Sequence, residues 1–164
     1  MKMESLQALF LEELGDLHSA ETQLIKALPK MAKAANHPEL KKAFQDHLKE
    51  TETQLERIES IFEGMGQKNP GKTCKGMKGI IEEGDERIKE KGDEAVLDAG
   101  LIGAAQRVEH YEIAGYGCAR TYAEMLGEQE AAEMLQESLD EEKQADARLN
   151  KLAMQCINVE AAHA

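Results

Sequence analysis

Residues 105–126 read AQRVEHYEIAGYGCARTYAEML, and after Gly127 residues 128–153 read EQEAAEMLQESLDEEKQADARLNKLA. In the first stretch Ala105, Glu109, Glu112, Tyr116, Ala119, Ala123 and Leu126 recur by threes and fours, the period of one helix face. Ala132, Leu135, Leu139, Glu142, Asp146, Leu149 and Ala153 repeat the pattern beyond the glycine. The spacing predicts helices over about 94–126 and 128–158, with Asp93 capping the first and Gly127 closing it. So short a connection folds two helices into an antiparallel hairpin. Residues 160–164 are expected to fray.

The N-terminal half carries a second hairpin. Phe10, Leu14, Leu17, Leu24, Leu28, Met31 and Ala35 form a helical seam over about 5–35, and Glu21 fills its one gap. Pro29 lies inside it, so a kink or a lost hydrogen bond is expected there. Asn36-His37-Pro38-Glu39 reads as a helix start with Asn36 at the N-cap and proline in the first turn. The next helix, about 38–63, has the seam Leu40, Ala43, His47, Glu50, Gln54, Ile58, Ile61 and ends at Gly64-Met65-Gly66. A loop around Asn69-Pro70-Gly71 and a short helix at 74–91 link the hairpins. Two hairpins joined by a long crossover make an all-α ferritin-like four-helix bundle, here one domain over residues 1–164.

Composition agrees with long solvated helices. Charged residues are 32% and aromatics 4%, a poor basis for a β-sandwich. No apolar run approaches the roughly 20 residues of a membrane span. Met1-Lys2-Met3-Glu4 leads into acidic amphipathic sequence, so no membrane association and a cytoplasmic location are expected. A net charge of −12 argues against nucleic acid as a partner. Cys74, Cys118 and Cys156 are odd in number, widely spaced and without CxxC, which points to free thiols. Cys156 falls on an apolar face as a small buried hydrophobe. Cys74 begins a helix between Lys72 and Lys75, features that lower a thiol pKa, but no histidine is near in sequence to serve a nucleophile.

The functional signal is the acid in each apolar seam. A buried carboxylate costs several kcal/mol unless its charge is compensated. Of the basic residues, only Arg57 and Arg107 lie near the inner faces. Divalent cations remove such a deficit, because Mn²⁺ and Fe²⁺ accept carboxylate oxygens. Glu21 lies 15 residues before Asn36 and Glu50 lies 14 after it, while Glu112 and Glu142 each lie 15 from Gly127. All four therefore fall at mid-height, as in di-iron and di-manganese bundles. The expected ligands of two divalent ions, iron or manganese, are Glu21, Glu50, Glu112 and Glu142. His47 and Glu109 would complete the shells, and Gln54 and Asp146 would be direct or outer ligands. His18 reads equally as a neighbour of Glu21 or a solvated imidazole, and Tyr111 and Tyr116 as hydrogen-bonding neighbours or packing.

These residues also carry a resemblance. Asp16-Leu17-His18-Ser19-Ala20-Glu21-Thr22-Gln23-Leu24, His47-Leu48-Lys49-Glu50-Thr51, Val108-Glu109-His110-Tyr111-Glu112-Ile113-Ala114 and Glu141-Glu142-Lys143 resemble the bacterial YciF-like stress proteins. Ile80-Ile81-Glu82-Glu83-Gly84 is similar to that family's connecting helix. The resemblance implies a ferritin-like fold, a homodimer, a link to general or osmotic stress and no settled activity. The chain departs from the wider di-iron pattern, in which Glu-x-x-His recurs on the second and fourth helices. Thr53 follows Glu50 by three and Ala145 follows Glu142 by three. Two functions stay open: a metal centre handling iron, manganese or peroxide, and a non-enzymatic structural or binding module with a vestigial site.

Overall fold

The computed structural model describes residues 4–164, so residues 1–3 of the N-terminal reading lie outside it. Five helices of useful length follow in order: α1 Leu6–Ala34, α2 Pro38–Gly64, α3 Lys75–Lys89, α4 Glu94–Leu126 and α5 Gln129–Leu152. A π turn at Ala153–Ile157 leads into α6, Asn158–Ala161. α1 packs on α2 and α4 on α5 as antiparallel hairpins; α1 also meets α4, and α2 meets α5, closing a four-helix bundle. α3 lies along α1 and α4 within the crossover. This is the all-α, ferritin-like arrangement of two hairpins joined by a long link.

The helix ends follow local chemistry. Ser5 caps α1 by accepting from the Ala8 N–H at 3.1 Å. Asp93 caps α4 through the Ala95 and Val96 N–H groups. Gly127 ends α4 in the left-handed region at φ 79°, open to glycine at no steric cost. α1 runs on through Pro29, which has no N–H to donate. At the α1–α2 turn the N-cap is His37, not Asn36. The Asn36 backbone and side chain are drawn off to Asp98 of α4, and His37 Nδ1 accepts from the Glu39 N–H instead. The helix also runs further than expected: α6 carries it to Ala161, two residues into the stretch expected to fray, and Ala153 and Ile157 are buried while α6 rests on α4.

Two apolar clusters fill the bundle. One, nearer the α1–α2 turn, includes Leu24, Leu28, Leu40, Phe44, Leu101, Ala105 and Leu149. The other, nearer the α4–α5 turn, includes Phe10, Leu14, Leu17, Ile58, Tyr116, Ala123 and Leu135. Gly115 lets α4 approach α1 closely, since a Cβ there would stand 2.9 Å from Leu17 Cδ2. Between the two clusters lies a polar layer.

Candidate metal centre

Each bundle helix contributes to that layer. α1 supplies Glu21, α2 His47 and Gln54, α4 Glu109 and Glu112, and α5 Glu142. The four glutamates are at most 2% exposed, Gln54 is fully buried, and His47 is 5% exposed. One donor atom from each of His47, Glu109, Glu112 and Glu142 lies within 4.8 Å of all the others. Such a group of donor atoms at mid-height is what the 3.6-residue period delivers when acids replace leucines in facing seams.

The hydrogen bonds inside the layer leave most of its charge unanswered. Gln54 Nε2 donates to Glu142 Oε1 at 2.5 Å, and Tyr116 donates its hydroxyl to Glu21 Oε1. His47 Nδ1 meets Glu50 Oε2 at 3.1 Å, while its Nε2 stands 3.4 Å from Glu109 Oε2 and 3.7 Å from Glu142 Oε2. Both oxygens of Glu112 and one each of Glu21, Glu109 and Glu142 have no hydrogen-bond partner, and neither has His47 Nε2. Buried polar atoms are rarely left so.

Electrostatics follow from this crowding. Burial first, then the charge of Glu142, pushes the Glu21 and Glu109 carboxyls well above the usual range. Burial and then Glu21 and Glu142 do the same to Glu112. For His47, burial favours the neutral ring, but the Glu50 hydrogen bond and the charges of Glu142 and Glu50 outweigh it, so the net shift is upward. Tyr116 rises well above 10 through burial and the Glu21 and Glu112 charges.

Not every expected ligand lies in the layer. Glu50 was expected to point inward, yet its side chain is 46% exposed. The buried path on α2 runs His47, Thr51, Gln54, Ile58, and Glu50 sits on its flank. Asp146, expected near Glu142, is turned toward Gln106 at 3.2 Å and His110 at 3.4 Å. His18 pairs with Glu59 at 3.2 Å, away from the layer. Arg107 is exposed and donates to the Gly103 carbonyl, whereas Arg57 binds Glu141 through 2.6 and 2.9 Å bonds. A cavity of about 230 Å³ lined by Phe44, His47, Glu50, Glu109 and Arg148 reaches the layer from the side.

The other cysteine and tyrosine readings also change. Cys74 is fully buried and caps α3 by accepting from the Met77 N–H at 3.2 Å, and burial raises its thiol pKa against its contacts with Tyr111 and Met77. That reverses the activation expected from a helix start, since desolvation disfavours the thiolate. Tyr111 belongs to this contact, donating to Asp16 Oδ2 at 2.7 Å and touching Cys74 Sγ at 3.0 Å.

Comparison with known proteins places this architecture. Residues 5–162 match a family model described as a domain of unknown function, DUF892. The chain belongs to the DUF892 family. Among the family's relatives it is 44% identical over 162 residues to Protein YciF of Escherichia coli strain K12, covering 98% of both chains. The crystal structure of the Escherichia coli stress protein YciF superposes with a TM-score of 0.92, covering 95% of this chain and 99% of that one. YcfI of Rhodopseudomonas palustris, described as a candidate structural protein, is 42% identical with a TM-score of 0.87 and covers 91% and 95% of the two chains. No helix among the described residues is long and apolar enough to cross a membrane.

Proposed function

We propose that this DUF892 chain is a stress-associated ferritin-like protein whose core binds two divalent cations, iron or manganese. The observation that carries this reading is the set of unpartnered buried oxygens on Glu21, Glu109, Glu112 and Glu142. Four fully buried acids answered by one imidazole are untenable as anions unless protons or cations join them. Carboxylate oxygens with one nitrogen form a hard donor set that suits Mn²⁺ and Fe²⁺.

The chain's own residues prepare the ligands. Gln54 holds one oxygen of Glu142 and leaves the other free. Tyr116 does the same for Glu21. Glu50 takes the Nδ1 side of His47, which leaves Nε2 facing the centre. This is the carboxylate–histidine arrangement that orients imidazole ligands, so Glu50 acts from the rim. The side cavity gives ions or a small molecule a path to His47 and Glu109. Two bound ions of this kind would supply either the two electrons that reduce peroxide to water, one from each ion, or an acidified water.

Elemental analysis of protein purified without added metal tests the reading. About two equivalents of iron or manganese are expected, and less than roughly a tenth of an equivalent of any transition metal would overturn it. A non-enzymatic structural module is the second reading. The missing Glu-x-x-His histidines and the description of the Rhodopseudomonas palustris relative favour it. Identical thermal melts in Mn²⁺, Fe²⁺ and EDTA would select it.

A further inference from the structure

We propose that His37, Cys156 and Glu160 form a second cation site, for one thiophilic divalent ion of the zinc type, where the C-terminal segment meets the α1–α2 turn. One donor atom from each of the three lies within 4.8 Å of the others. Cys156 Sγ stands 3.4 Å from His37 Nε2 and 3.4 Å from Glu160 Oε1. Imidazole nitrogen, thiolate sulfur and carboxylate oxygen are the three donor types that zinc takes from proteins. Nothing in this proposal depends on the carboxylate layer, which contains no cysteine.

The three donors sit on fixed backbone. His37 begins α2, and its own N–H is held by Asp98 Oδ2 at 2.6 Å. Cys156 lies in the π turn beside Ile157, which is 1% exposed and anchors the segment. Glu160 follows Cys156 by four residues on the same helical face. The surroundings are anionic: the Glu160 hydrogen bond first, then burial and the Glu160 and Glu39 charges, push the Cys156 thiol up. An adjoining open pocket of about 410 Å³ is lined by His37, Asp93, Glu94, Glu160 and His163, with no lysine or arginine. A water from this pocket can supply a fourth ligand.

Binding conserves protons simply. The Cys156 thiol loses its proton to solvent, and the His37 ring proton moves from Nε2 to Nδ1. The move ends the 3.3 Å N-cap bond that Nδ1 accepts from the Glu39 N–H and sets two donors face to face, so ion binding loosens the start of α2.

Cobalt(II) titration of the full chain tests the site, because a sulfur-to-cobalt charge-transfer band in the near ultraviolet arises only from thiolate ligation. The expected band saturates at one equivalent, is displaced by Zn²⁺, disappears in Cys156→Ser and persists in Cys74→Ser. Glu160→Gln should weaken cobalt binding by about tenfold or more. Should Cys156→Ser fold poorly by circular dichroism, alkylation of Cys156 in the wild-type chain decides: Zn²⁺ is expected to slow it about tenfold or more. No band in the wild type, a band that survives Cys156→Ser, or unchanged alkylation with Zn²⁺ overturns the proposal.

Discussion

Glu141 and Glu142 are neighbours on α5 and meet opposite treatment. Glu141 is 26% exposed at its side chain, and Arg57 grips it with two hydrogen bonds. Glu142 is fully buried and receives only an amide from Gln54, with His47 Nε2 at 3.7 Å. The chain thus supplies its own cation where water could have served and withholds one where water is excluded. Arginine is too bulky to answer four carboxylates in one layer, whereas protons or small ions fit. The contrast separates a structural ion pair from a buried cluster whose charge the chain leaves largely unanswered.

The largest expected effect is on the pH dependence of the metal-free protein. Glu21, Glu109 and Glu112 have folded pKa values raised above the ordinary 4.5, so the folded chain binds more protons than the unfolded one above that pH. Stability then falls as pH rises, by up to about 1.4 kcal/mol per pH unit for each proton retained. His47 has the same sign: its raised pKa stabilises below the ordinary 6.5, and that contribution is lost as pH climbs through the folded value. Urea melts in EDTA from pH 5 to 8 should show this decline, and Mn²⁺ should flatten it. A flat metal-free profile would mean that Glu21, Glu109 and Glu112 are neutralised within the fold, and the layer would no longer differ from the Arg57–Glu141 pair.

Metal addition comes next. At a hundredfold excess over Kd a native-state ligand stabilises by about 2.7 kcal/mol. For a chain of this length that raises Tm by roughly 5–10 °C in Mn²⁺ or Fe²⁺ against EDTA. Breaking the built-in pair should cost less: Arg57→Met is expected to destabilise by about 1–2 kcal/mol, equally with and without metal. Gln54 Nε2 also donates to Glu141 Oε2 at 3.1 Å, so a metal-dependent effect of Arg57→Met would mean that this shared amide couples the pair to the layer.

The opposite sign is expected inside the layer. Glu112→Gln removes one buried charge and keeps the shape, so it should stabilise the metal-free protein by about 1 kcal/mol while weakening metal binding. Urea melts with EDTA and with Mn²⁺ read both quantities. Destabilisation by a kcal/mol or more in EDTA would show that Glu112 is paired structurally, in the manner of Glu141.

The bundle was legible in the sequence because helical period and short turns act locally. Gly127, Asp93 and the apolar seam positions of all four long helices lie where the pattern puts them, with Leu126 alone of these half-buried. Asn36 misled because its preference for an N-cap was overridden by Asp98, which lies 62 residues away and only the tertiary fold brings near. The height of the polar layer was legible for Glu21, Glu112 and Glu142, since counting from a tight turn fixes axial position. Rotation about each axis was less so. Glu50 and Asp146 stand at the right height but about a flank away, because a seam stepping by threes and fours leaves two admissible faces at each turn. Cys156 beside His37 joins residues 119 apart and left no local signal.

Glu50 gives the smallest and most discriminating effect. Its side chain is 46% exposed, and its one polar contact among the described residues is with His47 Nδ1 at 3.1 Å. As a substitution at an exposed position, Glu50→Gln should change metal-free stability by no more than about 0.5 kcal/mol. An amide in its place can still accept the Nδ1 proton, so His47 keeps its orientation and only the charge is lost. Metal affinity should therefore fall modestly, by about tenfold, the lower end of what removal of an outer partner costs. Glu142→Gln should weaken it far more, because a ligand oxygen itself is replaced. Calorimetric Mn²⁺ titrations of both variants measure the two losses side by side. Equal losses would mean that Glu50 swings inward on binding and ligates directly, and the boundary between rim and buried layer would have to be redrawn one helix flank outward.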